Sequence, residues 1–418
     1  MAEKTGVNLG DDISKPAFSG KRKRVFIGLN EIANISATYA KAFQRLGFLT
    51  YTVVLDKNPY FIDEQYDVVI AEKIGRFHGS SLNRFFSLVF QHLILCIEFI
   101  KTLFCCDIFI FIYGSSFFSE SHIDYPILKL AGKKIVTIFC GCDIRHWSAY
   151  EQEFESLELG TLYKSCCDDC DSRTSCYLTR KIGIAKAVEK YSDLILSQRN
   201  QSQLLRRPYM RINIPLILSR YEFNVPARDI PVVVHAPTNR SIKGTEQIIE
   251  AVKKLKGEGI EFEFRFIENC DNHEVLKILS DADIVVDQLY AQTVALLALE
   301  SLATGNVVLI GSMPGYELIP GDCPAIYINH DNLYNELKGI ILDKQRRILL
   351  AKAGRKYVET YHNHITVTKQ VLNWLKPGGI KKYDYYPDFA QKHYKISVDV
   401  LKKEKFYLVK DILRFLRR

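Results

Sequence analysis

Residues 232–245 read VVVHAPTNRSIKGT. Val232, Val233 and Val234 predict a buried strand, and the polar stretch after them carries two cations, Arg240 and Lys243, ahead of Gly244. The sequence then runs EQIIEAVKKLKGEG, with the three-to-four spacing of an amphipathic helix, and Thr245 is an N-cap residue type at its start. A strand that passes through a basic loop into a helix gathers unpaired helix amides, the positive end of the helix dipole and two mobile cations around one point. That suits an anion such as a diphosphate. The plainer reading is a solvated basic loop that opens an ordinary helix, and this stretch alone leaves both open.

The same unit recurs along the chain. In the first half, strands are predicted at 23–29, 49–55, 66–70, 108–112, 134–139 and 193–197, with a helix at 35–46 that Gly47 stops. Residues 206–230 break the periodicity with two prolines and scattered charge, as an interdomain connection does. Strands follow at 231–235, 261–267, 283–289, 306–311 and 324–328, alternating with helices at 246–257, HEVLKILSDA and TVALLALESLAT, the last ended by Gly305. Continuous Val/Ile runs between helices imply parallel sheets covered on both faces. The predicted fold is α/β, with two doubly wound Rossmann-like domains facing across a cleft and ligands at the strand carboxyl ends. The expected division is a leader at 1–20, a first domain at 21–215, a second at 228–375 and a basic helical tail at 376–418.

Composition excludes several classes. Of 418 residues, 47% are hydrophobic and 25% charged, the profile of a globular chain, and the formal net charge of +8 suits nucleotide-linked substrates or an anionic membrane face. Residues 1–24 have no apolar run of the kind a secretory signal needs, so a cytoplasmic location is expected, and eleven cysteines then stay reduced or hold metal. Residues 85–112 are strongly apolar but contain Gln91, His92, Glu98, Lys101 and Asp107. A charge at the centre of a spanning helix costs roughly 2.5–3.5 kcal/mol, so a helix over 82–104 reads as core or membrane-surface packing. The tail KKEKFYLVKDILRFLRR, with Lys402, Lys403, Lys405, Lys410, Arg414, Arg417 and Arg418, suits either an anionic membrane or packing back on the first domain.

Three further stretches carry chemistry. In ALLALESLATG the helix is apolar nearly all round, so Glu300 is buried and needs a partner, and a carboxylate pairs naturally with the two hydroxyls of a ribose. In IFCGCDIRHW (138–147) Asp143 suits either orientation of an acceptor hydroxyl or a helix cap. In SCCDDCDSRTSC (165–176) Cys166, Cys167, Cys170 and Cys176 provide four thiols for a structural zinc site. Reduced surface thiols and a redox pair are the alternatives there.

The pieces HAPTNRSIKGT, DADIVVDQL and ALESLATGNVVL, in that order and spacing, resemble the nucleotide-sugar domain of retaining GT-B glycosyltransferases of group 1, family 4-like, and the likeness extends more weakly over about 23–375. By that resemblance Arg240, Lys243, Gly244 and Thr245 hold a donor diphosphate and Glu300 the nucleotide ribose. Gln292 and Thr293 lie where the family places donor-sugar contacts, and Gly315 near the base or the sugar. Gln292 stands where a first glutamate is usual, and the loop AQTVA lacks the usual glycines. On the acceptor side the resemblance implies Asp143 and Arg145, with Cys140 in place of a histidine, and Asn30, Glu31 and Asn34 facing the cleft. Asp143, Arg240 and Lys243 are the implied catalytic set.

The implied activity is transfer of a sugar from a nucleotide-diphosphate donor to a glycan or lipid-linked acceptor, in bacterial-type surface polysaccharide synthesis, with no cofactor required. A nucleotide-sugar 2-epimerase and a catalytically silent binding subunit are the alternatives. No Gly-x-Gly-x-x-Gly follows a strand, and the basic residues do not interleave with aromatics, which argues against dinucleotide and nucleic-acid binding.

Overall fold

The structure is a computed structural model describing residues 23–386 apart from 62, 75–80, 119–120, 148, 151–152, 154–177, 291 and 312–318. Cys166, Cys167, Cys170, Cys176, Gly315, the leader and residues 387–418 of the tail lie outside the described residues. Strands β1 (Arg24–Leu29), β2 (Leu49–Val54), β3 (Val68–Val69), β4 (Ile108–Ile112), β5 (Lys134–Ile138), β6 (Leu194–Ser197) and β7 (Met210–Arg211) form a parallel sheet in the order 3-2-1-4-5-6-7. Strands β8 (Val232–His235), β9 (Glu263–Phe266), β10 (Ile284–Gln288), β11 (Val307–Ile310) and β12 (Ile326–Tyr327) form a second parallel sheet in the order 12-11-10-8-9. Both sheets are doubly wound, as the alternating sequence predicts. Strand order reverses between β1 and β4 and again between β8 and β10, the positions beside which doubly wound sheets take ligands at their strand carboxyl ends.

Apolar residues on both faces of the strands explain this layering. All five residues of β4, IFIFI, are buried. On one face of the first sheet, helices Ser81–Cys105, Asp124–Leu130 and Leu178–Tyr191 contribute Leu95, Phe99, Leu128 and Val188. Helices Ile35–Arg45 and His364–Trp374 cover the other face with Tyr39, Phe43, Val367 and Val371. The first helix stops where the sequence says it must. Gly47 turns to φ 84°, Phe48 N–H returns to the Phe43 carbonyl at 3.0 Å, and the two rings meet at 5.5 Å.

Two findings depart from the sequence reading. Residues 228–375 were expected in one unit, yet helix His364–Trp374 buries Val367 and Val371 on the first half. The chain therefore crosses between the halves twice, and the crossings pair: Leu216 N–H donates to the His362 carbonyl at 2.7 Å and His364 N–H to the Leu216 carbonyl at 3.0 Å. The segment 376–386 carries no helix, and Tyr385 instead bridges Tyr209 beside the first sheet. Helix Ser81–Cys105, read from the sequence as core or membrane-surface packing, buries only part of its apolar surface. Leu95, Glu98, Phe99 and Thr102 face inward, and Glu98 gathers Lys73 at 2.9 Å and Tyr51 at 2.8 Å. Among the described residues, Phe86–Cys105 is the one helix long and apolar enough to cross a bilayer by length and composition.

Candidate functional site

The junction after β8 is built differently from a plain loop and cap. Residues Arg240–Lys243 make a single helical turn, Gly244 follows at φ 68°, and the long helix Thr245–Gly257 starts behind it. Gly244, not Thr245, is therefore the cap position. A left-handed backbone between two helical segments favours glycine, and a Cβ here would stand 2.6 Å from Leu289 Cβ. Gly244→Ala is expected to cost about 1–3 kcal/mol in urea unfolding through strain and crowding together.

Thr245 is committed elsewhere. Burial pushes His235 down to about 4, so its ring is neutral at pH 7. The Val286 carbonyl, 2.7 Å from Nδ1, can only accept, so Nδ1 carries the proton. Nε2 then accepts from the Thr245 hydroxyl at 2.9 Å. This bond pins the helix start to β8 and β10, and no local sequence signal reveals it.

The two cations occupy different environments. Lys243 is buried and pairs with Asp287, and its Nζ also donates to Gln288 Oε1 at 3.2 Å. Asp287 is fully buried and its Oδ2 has no partner. Arg240 is exposed, pairs with Glu246 at 2.7 Å and Glu268 at 3.2 Å, and lies over the Phe266 ring. Exposed pairs of this kind exchange readily for another anion.

Glu300 sits on helix Leu296–Thr304, which is buried almost all round and ends at Gly305 with φ 101°. Its Oε1 accepts from Asn272 Nδ2 at 3.0 Å and from the Tyr221 hydroxyl at 3.2 Å, so Oε2 is the oxygen left for a ligand. Burial pushes its carboxyl up to about 7, against the pull of those two donors. Asn272 and Tyr221 are distant in sequence and only the fold brings them here.

A cavity of about 470 Å³ lies between the two halves at the strand carboxyl ends. Arg240, Lys243, Thr293 and Glu300 line it from the second half, and Arg145 and Gln198 from the first. Thr293 Oγ1 donates across the cleft to Gln198 Oε1 at 3.0 Å. Gln288 Nε2 holds the Thr293 carbonyl at 2.6 Å, which braces the glycine-free loop against the lysine site. Gln292 is buried and, like Gly244 and Thr245, lies outside the cavity lining.

On the first-half side all the expected acceptor residues but Arg145 lie outside the cavity lining. Ile32 and Ala33 line the cavity, whereas Asn30, Glu31 and Asn34 do not. Glu31 instead accepts from Ser36 N–H at 3.3 Å, Ala37 N–H at 3.2 Å and the Tyr66 hydroxyl at 2.8 Å, capping helix Ile35–Arg45. Burial lifts it to about 7. Asn34 donates to Glu64 at 3.1 Å, and the Asn30 carbonyl accepts from Ser36 Oγ at 3.0 Å. Asp143 also stands outside the cavity lining. Its two oxygens accept from Cys140 N–H at 3.1 Å and Gly141 N–H at 2.8 Å, which braces its own loop. Arg145 stays at the cavity, its Nε on the Asn200 carbonyl at 3.1 Å.

No protein-family model matches the chain. No curated protein matches it either. Solved structures do. Sucrose-phosphate synthase from Thermosynechococcus elongatus is 14% identical, with a TM-score of 0.57 over 84% of this chain and 97% of that one. An alpha-glucosyltransferase in complex with UDP and DNA is 14% identical, with a TM-score of 0.51 over 85% and 99%. WaaG, a glycosyltransferase involved in lipopolysaccharide biosynthesis, is 12% identical, with a TM-score of 0.51 over 85% and 100%. At such identities the likeness is one of fold, shared over nearly the whole length of each.

Proposed function

We propose that this chain, which has the GT-B fold of glycosyltransferases, transfers a sugar from a nucleotide-diphosphate donor to a glycan or lipid-linked acceptor. The observation that carries the reading is one interlobe cavity that brings together Arg240, Lys243 and the open oxygen of Glu300. In this reading Arg240 leaves its exposed acids for the donor diphosphate, and Lys243, already oriented by Asp287, faces the same charge. Cations fixed where negative charge develops on a leaving group lower the barrier without a bound metal. Glu300 Oε2 takes the ribose hydroxyls. Arg145 and Gln198 meet the acceptor, while Asp143 shapes their loop. The UDP bound in the alpha-glucosyltransferase neighbour supports a uridine donor. Retention of configuration, a hexosyl donor, surface polysaccharide as product, a cytoplasmic setting with peripheral contact to an anionic membrane, and a structural zinc on Cys166, Cys167, Cys170 and Cys176 belong to the same proposal.

Titration calorimetry against UDP-, GDP-, ADP- and CMP-sugars tests it, followed by donor hydrolysis. One class is expected to bind and turn over, and Arg240→Ala should lower turnover at least tenfold with the fold intact. Undiminished turnover in that variant would remove Arg240 from the site, and no binding by any donor would end the proposal.

A further inference from the structure

Helix Ser81–Cys105 turns one long face to solvent. Phe86, Phe90, Leu93, Ile97, Ile100 and Phe104 follow one another at alternating steps of four and three along it, exposed from 46% at Phe86 to 82% at Phe104. Helix Asp124–Leu130 packs on the same face of the first sheet and adds Ile123, Ile127 and Leu130, the last 89% exposed. From Phe86 to Phe104 the row runs about 27 Å at the α-helical rise. The row on the long helix alone exposes on the order of 600 Å² of apolar surface, the upper end of what a soluble monomer leaves in one patch.

We propose that this face seats on an anionic lipid surface, with the helix lying flat at the boundary of headgroups and acyl chains. A spanning helix is excluded by Leu95, Glu98, Phe99 and Thr102, which are buried in the first half on the opposite side. A protein partner is disfavoured by what the face lacks. Protein interfaces carry about one hydrogen bond per 100–200 Å², and those bonds fix register. Between Phe86 and Ile100 the outward row offers no polar side chain, and the exposed His92 beside it is turned to the Leu88 carbonyl at 2.7 Å. A fluid hydrocarbon surface needs no register.

Charge points the same way. Lys101 at the edge of the row stays half exposed while it donates to the Tyr51 hydroxyl, and Lys134, past Leu130, stays half exposed while it pairs with Asp193 at 2.9 Å, on a chain whose net charge is +8. Lysines at such an edge meet anionic headgroups. The helix ends just before β4 begins, so it runs back along the sheet and its Phe86 end lies toward the strand carboxyl ends, where the cavity opens. A lipid-linked acceptor would then reach the cleft without leaving the surface. That last step rests on the transfer reading; the face itself gives a place to the peripheral membrane contact proposed with it and stands or falls by lipid binding alone.

The full-length chain is mixed with phosphatidylcholine vesicles containing phosphatidylglycerol and floated on a density gradient. The protein is expected to rise with the vesicles, and Leu93→Glu with Ile97→Glu should lower the bound fraction at least tenfold at an unchanged thermal midpoint. Ile97→Trp gives a second readout that does not depend on the charged variant folding, through blue-shifted emission and quenching by brominated phosphatidylcholine. Failure of the unaltered chain to float overturns the proposal, as does flotation that persists in the charged variant. So does a dimer in lipid-free buffer that the same variant dissociates, which would assign the face to a second copy. Flotation without turnover of any nucleotide-sugar would sink the transfer reading and leave this surface standing.

Discussion

Lys243→Ala is expected to lower sugar transfer by on the order of 10²–10³ and to lower stability by about 3–5 kcal/mol, the usual loss when one member of a buried ion pair is removed. The second effect follows from Asp287, which is fully buried, already has one oxygen without a partner, and would be left as an uncompensated charge. The two effects separate in a double variant. Lys243→Ala with Asp287→Asn removes the orphaned charge, so urea unfolding should recover most of the loss. Turnover should stay down by on the order of 10²–10³, the scale seen when one group stabilising transition-state charge is deleted. Recovery of activity together with stability would show that Lys243 serves the fold alone.

Glu300→Gln is expected to move stability and donor binding in opposite directions. The folded carboxyl titrates near 7, whereas an unfolded glutamate ionises near 4.5. Between those values only the folded chain keeps the proton, so its contribution is complete below about pH 4.5 and is lost as pH rises to about 7. The loss is at most ~3 kcal/mol. Glutamine cannot ionise, and its carbonyl can still accept from Asn272 and Tyr221. The variant should therefore be more stable than the unaltered chain at pH 8 and indistinguishable from it at pH 4. His235 and His362, pushed by burial down to about 4 and about 3, shift stability the other way below pH 6.5. They are common to both proteins and cancel in the difference. Donor affinity should fall ten- to hundredfold at pH 8, because with the carbonyl held by Asn272 and Tyr221 an amide NH₂ stands where Oε2 accepted from the ribose hydroxyls. Calorimetric affinity unchanged at pH 8 would take Glu300 out of the donor site.

The strands and most helices were legible because each is a short apolar run bounded by polar or glycine residues, and β4 coincides with its predicted limits. Gly47 and Gly305 marked helix ends because a positive φ leaves little choice of residue. What escaped was decided across long sequence separations. Val367 and Val371 carry the spacing of any amphipathic helix, and nothing local says which sheet they meet. Glu31 and Asp143 are polar residues beside a predicted cleft, yet nearby amides claim them first. Thr245 has the chemistry of a cap, but the helical turn before it places Gly244 at that position. The cations and Glu300 could be paired from order and spacing, whereas Asp287, Asn272 and Tyr221 emerged as their partners only in three dimensions.

The strand pairing between Leu216 and residues 362–364 limits how the two halves can move. One thread between two bodies permits swivel about its own axis, but two threads laced edge to edge make a ribbon, which flexes readily in one direction and resists twist. Opening should then be a single clamshell movement, so that whatever enters the cavity and whatever leaves it compete for the same stroke.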